Sequence, residues 1–183
     1  MIRPASYSSF LDMPDTLELG PLTLKNFGIL KTIVNKTFPV DYPPEAFDLI
    51  SQGNSQIGWF GDFAISVVSA RHVPLTELHP PGTRVINVKD EAISDTEIMM
   101  YVMVLSVLRP YRRKGFATQL LSWVLSKAKA DGLKHLALHT QETNVNAIKF
   151  YQKHGFEIVA RVESYYPDLP EHESHAVLML KKL

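Results

Sequence analysis

The sequence predicts an α/β fold of the mixed α+β type, in which a mixed sheet of about seven strands is flanked by about four helices. Three observations indicate this class. Apolar and β-branched runs alternate with segments whose apolar residues recur at helical spacing. Prolines and glycines separate these segments. A nearly continuous apolar run, residues 98–108, has the composition of a strand covered on both faces, so helices should pack against the sheet.

The composition limits the classes of protein to which the chain can belong. Its 183 residues suit one domain, and 45% hydrophobic with 21% charged residues is typical of a soluble globular protein. The 19 Lys and Arg residues balance the 19 Asp and Glu residues, which argues against nucleic acid or an anionic membrane as a direct partner. The absence of cysteine excludes disulfides, thiolate catalysis and thiolate metal sites.

We expect a cytoplasmic protein with a single domain over residues 16–183. No signal-like apolar run follows Met1, and no segment holds the roughly 20 apolar residues that a membrane-spanning helix needs. Residues 1–15 contain several Ser and Pro residues and show no periodicity, which predicts a flexible N-terminal arm.

The domain is predicted to begin with a strand over residues 16–22. Thr23 can then cap a helix, because a threonine hydroxyl accepts a hydrogen bond from a first-turn amide. The apolar positions of this helix are Leu24, Phe27, Leu30 and Val34. The proline-rich stretch 38–44 ends it, since proline lacks an amide donor.

The later elements are bounded by turn residues in the same way. A hairpin should turn at Gly61-Asp62. Pro110 should end the long apolar strand, and Gly155 should close the last predicted helix. In order, these elements are a helix at 45–51, strands at 57–60, 63–69 and 98–108, a helix at 114–130, a strand at 136–140, a helix at 145–153, and strands at 156–163 and 176–181.

Residues 71–96 show no comparable pattern. The stretch holds three prolines, one glycine and mixed charge, with no sustained period. Segments of this length without regular structure are functional lids or disordered insertions, and we expect a disordered insertion here.

A basic turn separates the long apolar strand from the helix that follows it. The first amides of a helix lack intrahelical acceptors, and Gly115 would let an anion approach the backbone. Arg112, Arg113 and Lys114 add positive charge, and the small Ala117 leaves room for a pyrophosphate. The turn lacks the glycine patterns of NTPases and dinucleotide-binding proteins. Alone, it is equally consistent with a solvated basic loop or an RNA-binding patch.

A second segment, residues 144–156, reads alone as a capped amphipathic helix that ends at glycine. Asn144 supplies the cap, and Ile148, Phe150 and Tyr151 have helical spacing. In that interpretation Tyr151 is an aromatic residue at the edge of the core, with its hydroxyl in water.

Together, the two segments resemble the GNAT acetyltransferase superfamily. R-x-x-G-x-A begins at Arg112, and N-x-x-A-x-x-F-Y-x-x-x-G-F begins 32 residues later at Asn144. The resemblance implies the GNAT fold, whose two central parallel strands splay apart. It also implies direct acetyl transfer from acetyl-CoA to an amine, without a metal. The cofactor-binding residues that it implies are Leu105, Val107, Arg112, Arg113, Lys114, Gly115, Phe116, Ala117, Thr118, Asn144 and Tyr151.

Over roughly residues 16–70 and 97–183 the chain is similar to the catalytic subunits of NatE-type N-terminal acetyltransferases. This closer resemblance implies that Tyr101 and His139 handle the proton of the amine. The substrate would be a peptide or nascent-chain N-terminus, Met followed by an apolar residue, and the partner the NatA heterodimer at the ribosome. The implied peptide site comprises Phe38, Pro39, Val40, Tyr42, Met103, Tyr165 and Tyr166.

The chemistry of an amine acceptor is consistent with these residue types. An α-amine has a pKa of about 7.7–8.0, so it is mostly protonated near pH 7, and a histidine with a pKa near 7 is suited to taking that proton. His139 ends one predicted strand, Tyr101 lies in its neighbour, and side chains at such strand ends can converge on a crevice. A backbone amide near Leu105 would donate to the thioester carbonyl.

Two rival functions stay open at this point. One is a GNAT enzyme that acts on lysine side chains or a small amine, and the other is a non-catalytic subunit of the same fold that binds CoA. The complete cofactor pattern and the Tyr101/His139 pair argue against the second. A metal site at His172 and His175 lacks a third ligand nearby, and Ser106 lacks the setting of a nucleophilic serine.

Overall fold

The computed structural model describes residues 16–38, 42–79 and 93–183. A single seven-stranded sheet runs through these residues. Its strands are β1 (Glu18–Pro21), β2 (Asn54–Phe60), β3 (Phe63–Pro74), β4 (Ile98–Val107), β5 (His135–Gln141), β6 (Glu157–Val162) and β7 (Ala176–Lys182). Their order in the sheet is β1–β2–β3–β4–β5–β7–β6, with β4 and β5 parallel and the other neighbours antiparallel.

Helices cover both faces of this sheet, so the predicted mixed α/β class is confirmed. The helices are α1 (Phe27–Thr37), α2 (Pro44–Gln52), α3 (Phe116–Ala130), α4 (Val145–Lys153) and the four-residue α5 (Glu171–Ser174), which the sequence patterns did not reveal. Among the described helices, none is long and apolar enough to cross a membrane. The predicted N-terminal arm, residues 1–15, lies outside the described residues.

Helix α1 starts later than its apolar spacing predicts. The proposed Thr23 cap is wrong, because the helix begins at Phe27 and Leu24 is 99% exposed. The side chain of Asn26 explains the difference. Its Oδ1 accepts from the Thr23 amide at 2.7 Å and its Nδ2 donates to the Pro21 carbonyl at 3.0 Å, so residues 23–26 form a closed turn before the helix.

The two faces of the sheet hold separate apolar clusters. On one face, α1 and α2 pack against the middle strands through residues such as Leu30, Ile50 and Val104. On the other face, α3 and α4 pack through residues such as Leu121 and Tyr151. This arrangement leaves the ends of β4 and β5 between two layers of helix.

The predicted insertion at residues 71–96 is wrong for its first part. Strand β3 continues to Pro74, a 3-10 turn follows at Leu75–Glu77, and both Leu75 and Leu78 are buried against β5, β6 and β7. The amide of Leu75 donates to the Glu97 carbonyl at 3.0 Å. Hydrogen bonds to residues distant in sequence therefore hold this segment in place, although its apolar residues show no periodic spacing. Residues 80–92 lie outside the described part of the chain.

The parallel strands β4 and β5 separate near their carboxyl ends, as the resemblance implied. They pair from Met100–Leu136 to Val102–Leu138, although β4 runs on to Val107. On the other side of β4, the register against β3 shifts so that Met103 is an extra, bulged residue. Bulges bend a strand and re-aim its side chains, so this one accompanies the opening of the sheet.

Candidate active site

A cavity of about 550 Å³ lies where β4 and β5 separate. It unites residues from both central strands, from α2 and α4, and from the loop between β6 and α5. The lining residues are Phe38, Tyr42, Pro43, Ala46, Leu49, Ile50, Tyr101, Val102, Met103, Leu105, Leu138, His139, Thr140, Gln141, Asn144, Ala147, Tyr151, Tyr165, Tyr166, Pro167, Asp168 and Leu169.

Tyr101, His139 and Tyr165 form a contact group inside this cavity. The Tyr101 hydroxyl lies 3.0 Å from His139 Nδ1 and 3.0 Å from the Tyr165 hydroxyl. The Tyr165 ring stacks on the imidazole at 4.4 Å, with an angle of 19° between the ring planes. Strand β4 supplies the first residue, β5 the second and the loop between β6 and α5 the third. Tyr101 and His139 meet because β4 and β5 are neighbours in the sheet.

The imidazole of His139 is a weaker base than we expected. Burial lowers its pKa from 6.5 to about 4, and the charge of nearby His79 acts in the same direction. The Leu78 carbonyl opposes this shift and raises the His139 pKa by a smaller amount. The Nε2 atom of His139 makes no hydrogen bond within the described structure. His139 is therefore neutral at physiological pH, and the expectation of a pKa near 7 is wrong.

The tyrosines of the cavity are also neutral. Burial raises the pKa of Tyr42 to about 12 and raises the pKa of Tyr101 well above its usual value. The pKa values of Tyr165 and Tyr166 are raised for the same reason. These side chains can donate and accept hydrogen bonds, but none is a phenolate that could act as a base near pH 7.

One end of the cavity is aromatic and apolar. The rings of Phe38 and Tyr42 lie 5.5 Å apart, and Tyr42 in turn packs at 5.9 Å from Phe47 of α2. A Cβ atom at Gly53 would lie 3.0 Å from the Met103 side chain and 2.9 Å from a backbone oxygen, so glycine lets the end of α2 approach β4. Of the predicted peptide site, Pro39 and Val40 lie outside the described residues.

The other end of the cavity reaches α4. The Asn144 side chain accepts from the Ala147 amide at 3.1 Å, which confirms the predicted helix cap. Tyr151 is 8% exposed and packs with Phe156, so it belongs to the core while part of it lines the cavity. Leu105 of β4 lines the cavity as well.

The basic turn before α3 has the backbone expected of an anion site. Gly115 has a φ of 83°, and a Cβ there would meet nothing within 4 Å, so open space surrounds the turn. The amides of residues 113–117 find no backbone acceptor among the described turns and caps. Arg112 is partly committed, because its Nε donates to the Val107 carbonyl at 2.9 Å.

The predicted cofactor residues thus divide into two groups. Leu105, Asn144 and Tyr151 line the cavity. The residues outside the lining are Val107, Arg112, Arg113, Lys114, Gly115, Phe116, Ala117 and Thr118, which lie at the end of β4, in the turn and at the start of α3. The side chains of Val107 and Phe116 are buried in the core, so these two residues face the turn through their backbone.

Several lining residues were not found from the sequence. Leu49 and Ala46 come from α2, whose helical pattern was visible but whose position was not. Gln141 is the last residue of β5, whereas Asp168 and Leu169 reach the cavity through the fold of the loop that leads to α5, and none of the three carries a local signal. In the described parts of the chain, no group of three potential metal ligands is present.

Known proteins share this architecture. Residues 30–156 match the model of the acetyltransferase (GNAT) family. The chain is 32% identical over 168 residues to N-alpha-acetyltransferase 50 of Danio rerio, covering 90% of this chain and 89% of that protein. It is 30% identical to the probable N-acetyltransferase san of Drosophila melanogaster, covering 88% of this chain and 79% of that protein. Arabidopsis thaliana Naa50, solved with the bisubstrate analogue CoA-Ac-MVNAL, matches with a TM-score of 0.73 and 25% identity, covering 91% of this chain and 99% of that one.

Proposed function

Because the chain belongs to the acetyltransferase (GNAT) family, we propose that it is an N-terminal protein acetyltransferase, which transfers the acetyl group of acetyl-CoA to the α-amine of protein N-termini. One observation carries the proposal. The cavity joins an aromatic, apolar end to the gap between β4 and β5, and the Tyr101–His139 contact lies on its wall. An amine that enters from the apolar end therefore meets the contact at the gap.

The turn before α3 and the residues beside the gap fit acetyl-CoA, which supplies an acetyl group activated as a thioester. Open space at Gly115 and the free amides of residues 113–117 suit the pyrophosphate. Arg113 and Lys114 are exposed and add positive charge. Leu105, Asn144 and Tyr151 would line the path toward the catalytic pair, and a backbone amide near Leu105 would donate to the thioester carbonyl.

The peptide would occupy the aromatic end. Phe38 and Met103 offer apolar surface to the first side chains of the peptide. We assign Pro39 and Val40 to the same site because of the sequence resemblance to NatE-type catalytic subunits. The hydroxyls of Tyr42, Tyr165 and Tyr166 remain protonated and can hold peptide backbone. Such a site suits an N-terminal Met that is followed by an apolar residue.

The low pKa of His139 determines at which stage of the reaction this residue can accept a proton. An imidazole with a pKa of about 4 is a poorer base than an α-amine by roughly four pKa units, or about 5 kcal/mol, so His139 does not deprotonate the incoming ammonium. The amine must reach the site already neutral. As the nitrogen bonds to the carbonyl carbon of the thioester, its two protons become acidic, and Tyr101 can pass one of them to His139 Nδ1. The carbon–sulfur bond then breaks, and CoA leaves as a thiolate.

An acetylation assay tests this function. Peptides that vary only in their first two residues are incubated with acetyl-CoA and the purified chain, together with lysine peptides whose N-terminus is blocked. We expect Met-Leu peptides to react faster than peptides that begin with Ser or an acidic residue, and faster than the blocked lysine peptides. Equal rates for blocked lysine peptides would instead support a lysine acetyltransferase of the same family.

The resemblance to NatE-type enzymes supports two further assignments. The chain would act in the cytoplasm and dock on the NatA heterodimer near the ribosome. Co-purification of the tagged full chain with the two NatA subunits tests the docking, and loss of both subunits at physiological salt would contradict it.

A further inference from the structure

We propose that Asp168 makes the enzyme favour N-termini that carry basic side chains at their third or fourth residue. The inference rests on the proposed function and concerns the rim of the same cavity. Asp168 is exposed and lines the cavity in the loop between β6 and α5.

The charge of Asp168 is isolated within the cavity. Among the described lining residues it alone carries a formal charge at neutral pH, because the low pKa of His139 keeps that imidazole neutral. No salt bridge or hydrogen bond joins its carboxylate to another described residue. Arg71, whose charge acts on Tyr165, is already paired with Glu77 at 3.1 Å. The carboxylate is therefore available to a charge on the substrate.

The backbone holds Asp168 in a defined position. The Leu169 amide donates to the Tyr166 carbonyl at 3.1 Å, which closes a four-residue turn with Pro167 at its second position. The Tyr166 amide donates to the Ser174 carbonyl at 2.9 Å. Gln141 ties the following helix to β5, because its Nε2 donates to the Glu173 carbonyl at 2.8 Å. A placed carboxylate loses less entropy on binding a cation than one on a free loop would.

Contacts lead directly from the catalytic pair to this turn. Tyr101 contacts Tyr165, whose ring packs at 4.9 Å from Tyr166, and Asp168 follows two residues later. An extended peptide advances about 3.3 Å per residue. With its amine at Tyr101 and its first two side chains in the apolar end, the third and fourth residues emerge at the exposed rim, where Asp168 lies.

Three peptides test the inference: Met-Leu-Arg-Arg, Met-Leu-Gln-Gln and Met-Leu-Glu-Glu, each followed by the same neutral tail. Arginine is used because its guanidinium is not acetylated in place of the α-amine. One opposite or like charge at about 6 Å in water changes an equilibrium roughly threefold. We therefore expect kcat/KM to favour the Arg peptide over the Glu peptide about tenfold at low salt, and less at high salt because ions screen exposed charges.

Substitution of Asp168 separates its effect from other sources of preference. Asp168→Asn should bring the Arg-to-Glu ratio of kcat/KM close to one, and Asp168→Lys should invert it. The matched control is Glu157→Gln, which removes one exposed carboxylate on β6 that is not part of the cavity lining, and it should keep the wild-type ratio. A wild-type ratio near one, or an unchanged ratio in Asp168→Asn, overturns the role of Asp168. If none of the three peptides is acetylated, the proposed function is overturned as well.

Discussion

At the scale of single residues, the Tyr101–His139 contact combines a neutral phenol with a neutral imidazole. Burial produces both states, since it disfavours the charged form of each group. Neither group is strong enough to deprotonate an ammonium in its ground state. Together they can accept a proton from a nitrogen that is already forming its new bond, and the 3.0 Å contact gives that proton a path.

Removing either member of the pair should slow acetyl transfer. We expect His139→Ala to lower turnover by about 10²–10⁴-fold, the usual contribution of a positioned acid–base group. Tyr101→Phe should also slow turnover, and by less if water can replace the hydroxyl. CoA affinity, measured by titration calorimetry, should stay nearly constant in both variants because the turn before α3 is intact. Near wild-type rates for both at saturating substrate would mean that the proton leaves by another route.

At the scale of elements, we propose that the turn before α3 and the separation of β4 from β5 define where each substrate lies. Gly115 holds a backbone conformation that L-residues rarely adopt, and a side chain there would project into the open space that a phosphate needs. Gly132, just beyond the other end of α3, has a φ of 71° and equally open surroundings. The helix thus offers a matched pair of glycines, of which only Gly115 lies in the proposed anion site.

We expect Gly115→Ala to weaken acetyl-CoA binding strongly, while Gly132→Ala leaves it unchanged. Both substitutions carry the same cost of a methyl group at positive φ, so their thermal stabilities should fall by similar amounts. Calorimetric titration of CoA measures the difference. Equal CoA affinities in the two folded variants would remove the turn from the cofactor site.

The segment after β3 should divide into a structural part and a replaceable part. Leu78→Ala deletes a buried side chain that packs under β5 to β7, so it should lower the free energy of unfolding by about 2–5 kcal/mol. Replacing residues 80–92 with a short Gly/Ser linker should cost far less, since closure entropy varies slowly with loop length. Urea unfolding compares the two. If the linker lowers the free energy of unfolding more than Leu78→Ala does, residues 80–92 are not a replaceable insertion.

How well the sequence predicted each element depends on how local its cause is. The alternation and spacing of apolar residues located the strands and the four longer helices. The start of α1 was misplaced because the Asn26 side chain closes a turn that apolar spacing does not report. The end of β3 was missed because residues 70–74 are held by pairing with β4, a strand distant in sequence.

At the scale of the whole molecule, the same distinction applies to the candidate site. The turn at Gly115 and the Asn144 cap are local devices, so a motif could identify them. The neutrality of His139 depends on burial by the assembled sheet and, to a smaller extent, on the charge of His79. Asp168 lies in the loop before α5, and the hydrogen bond between Gln141 and Glu173 ties α5 to β5. Neither property is visible before the chain folds.

Burial of His139 should also make the folded state sensitive to acid. The unfolded imidazole takes up a proton near pH 6.5 and the folded one near pH 4, so the unfolded chain binds more protons between these values and stability falls as the pH drops through them. At pH 5 this contribution to the loss is about 2 kcal/mol.

Urea unfolding at pH 7 and pH 5 measures this dependence. His139→Phe should lose about 2 kcal/mol less than the wild type between the two pH values, because the variant has no imidazole to protonate. The exposed His172 provides the control, and His172→Phe should retain the wild-type dependence. An equal loss in all three proteins would contradict a buried, neutral His139.

The cavity should present an α-amine, rather than a lysine side chain, to the Tyr101–His139 pair. At pH 7.5 roughly a third of an α-amine is neutral, against about one lysine ε-amine in a thousand, and the aromatic end should add to this bias by holding the backbone beside the amine. The direct measurement is a single peptide, Met-Leu followed by neutral residues and one lysine, treated with acetyl-CoA and analysed by fragment mass spectrometry. We predict that the first acetyl group is found on the α-nitrogen and that His139→Ala slows its appearance. An acetyl group on the lysine ε-nitrogen of the wild-type product, with the α-amine still free, would contradict the assignment.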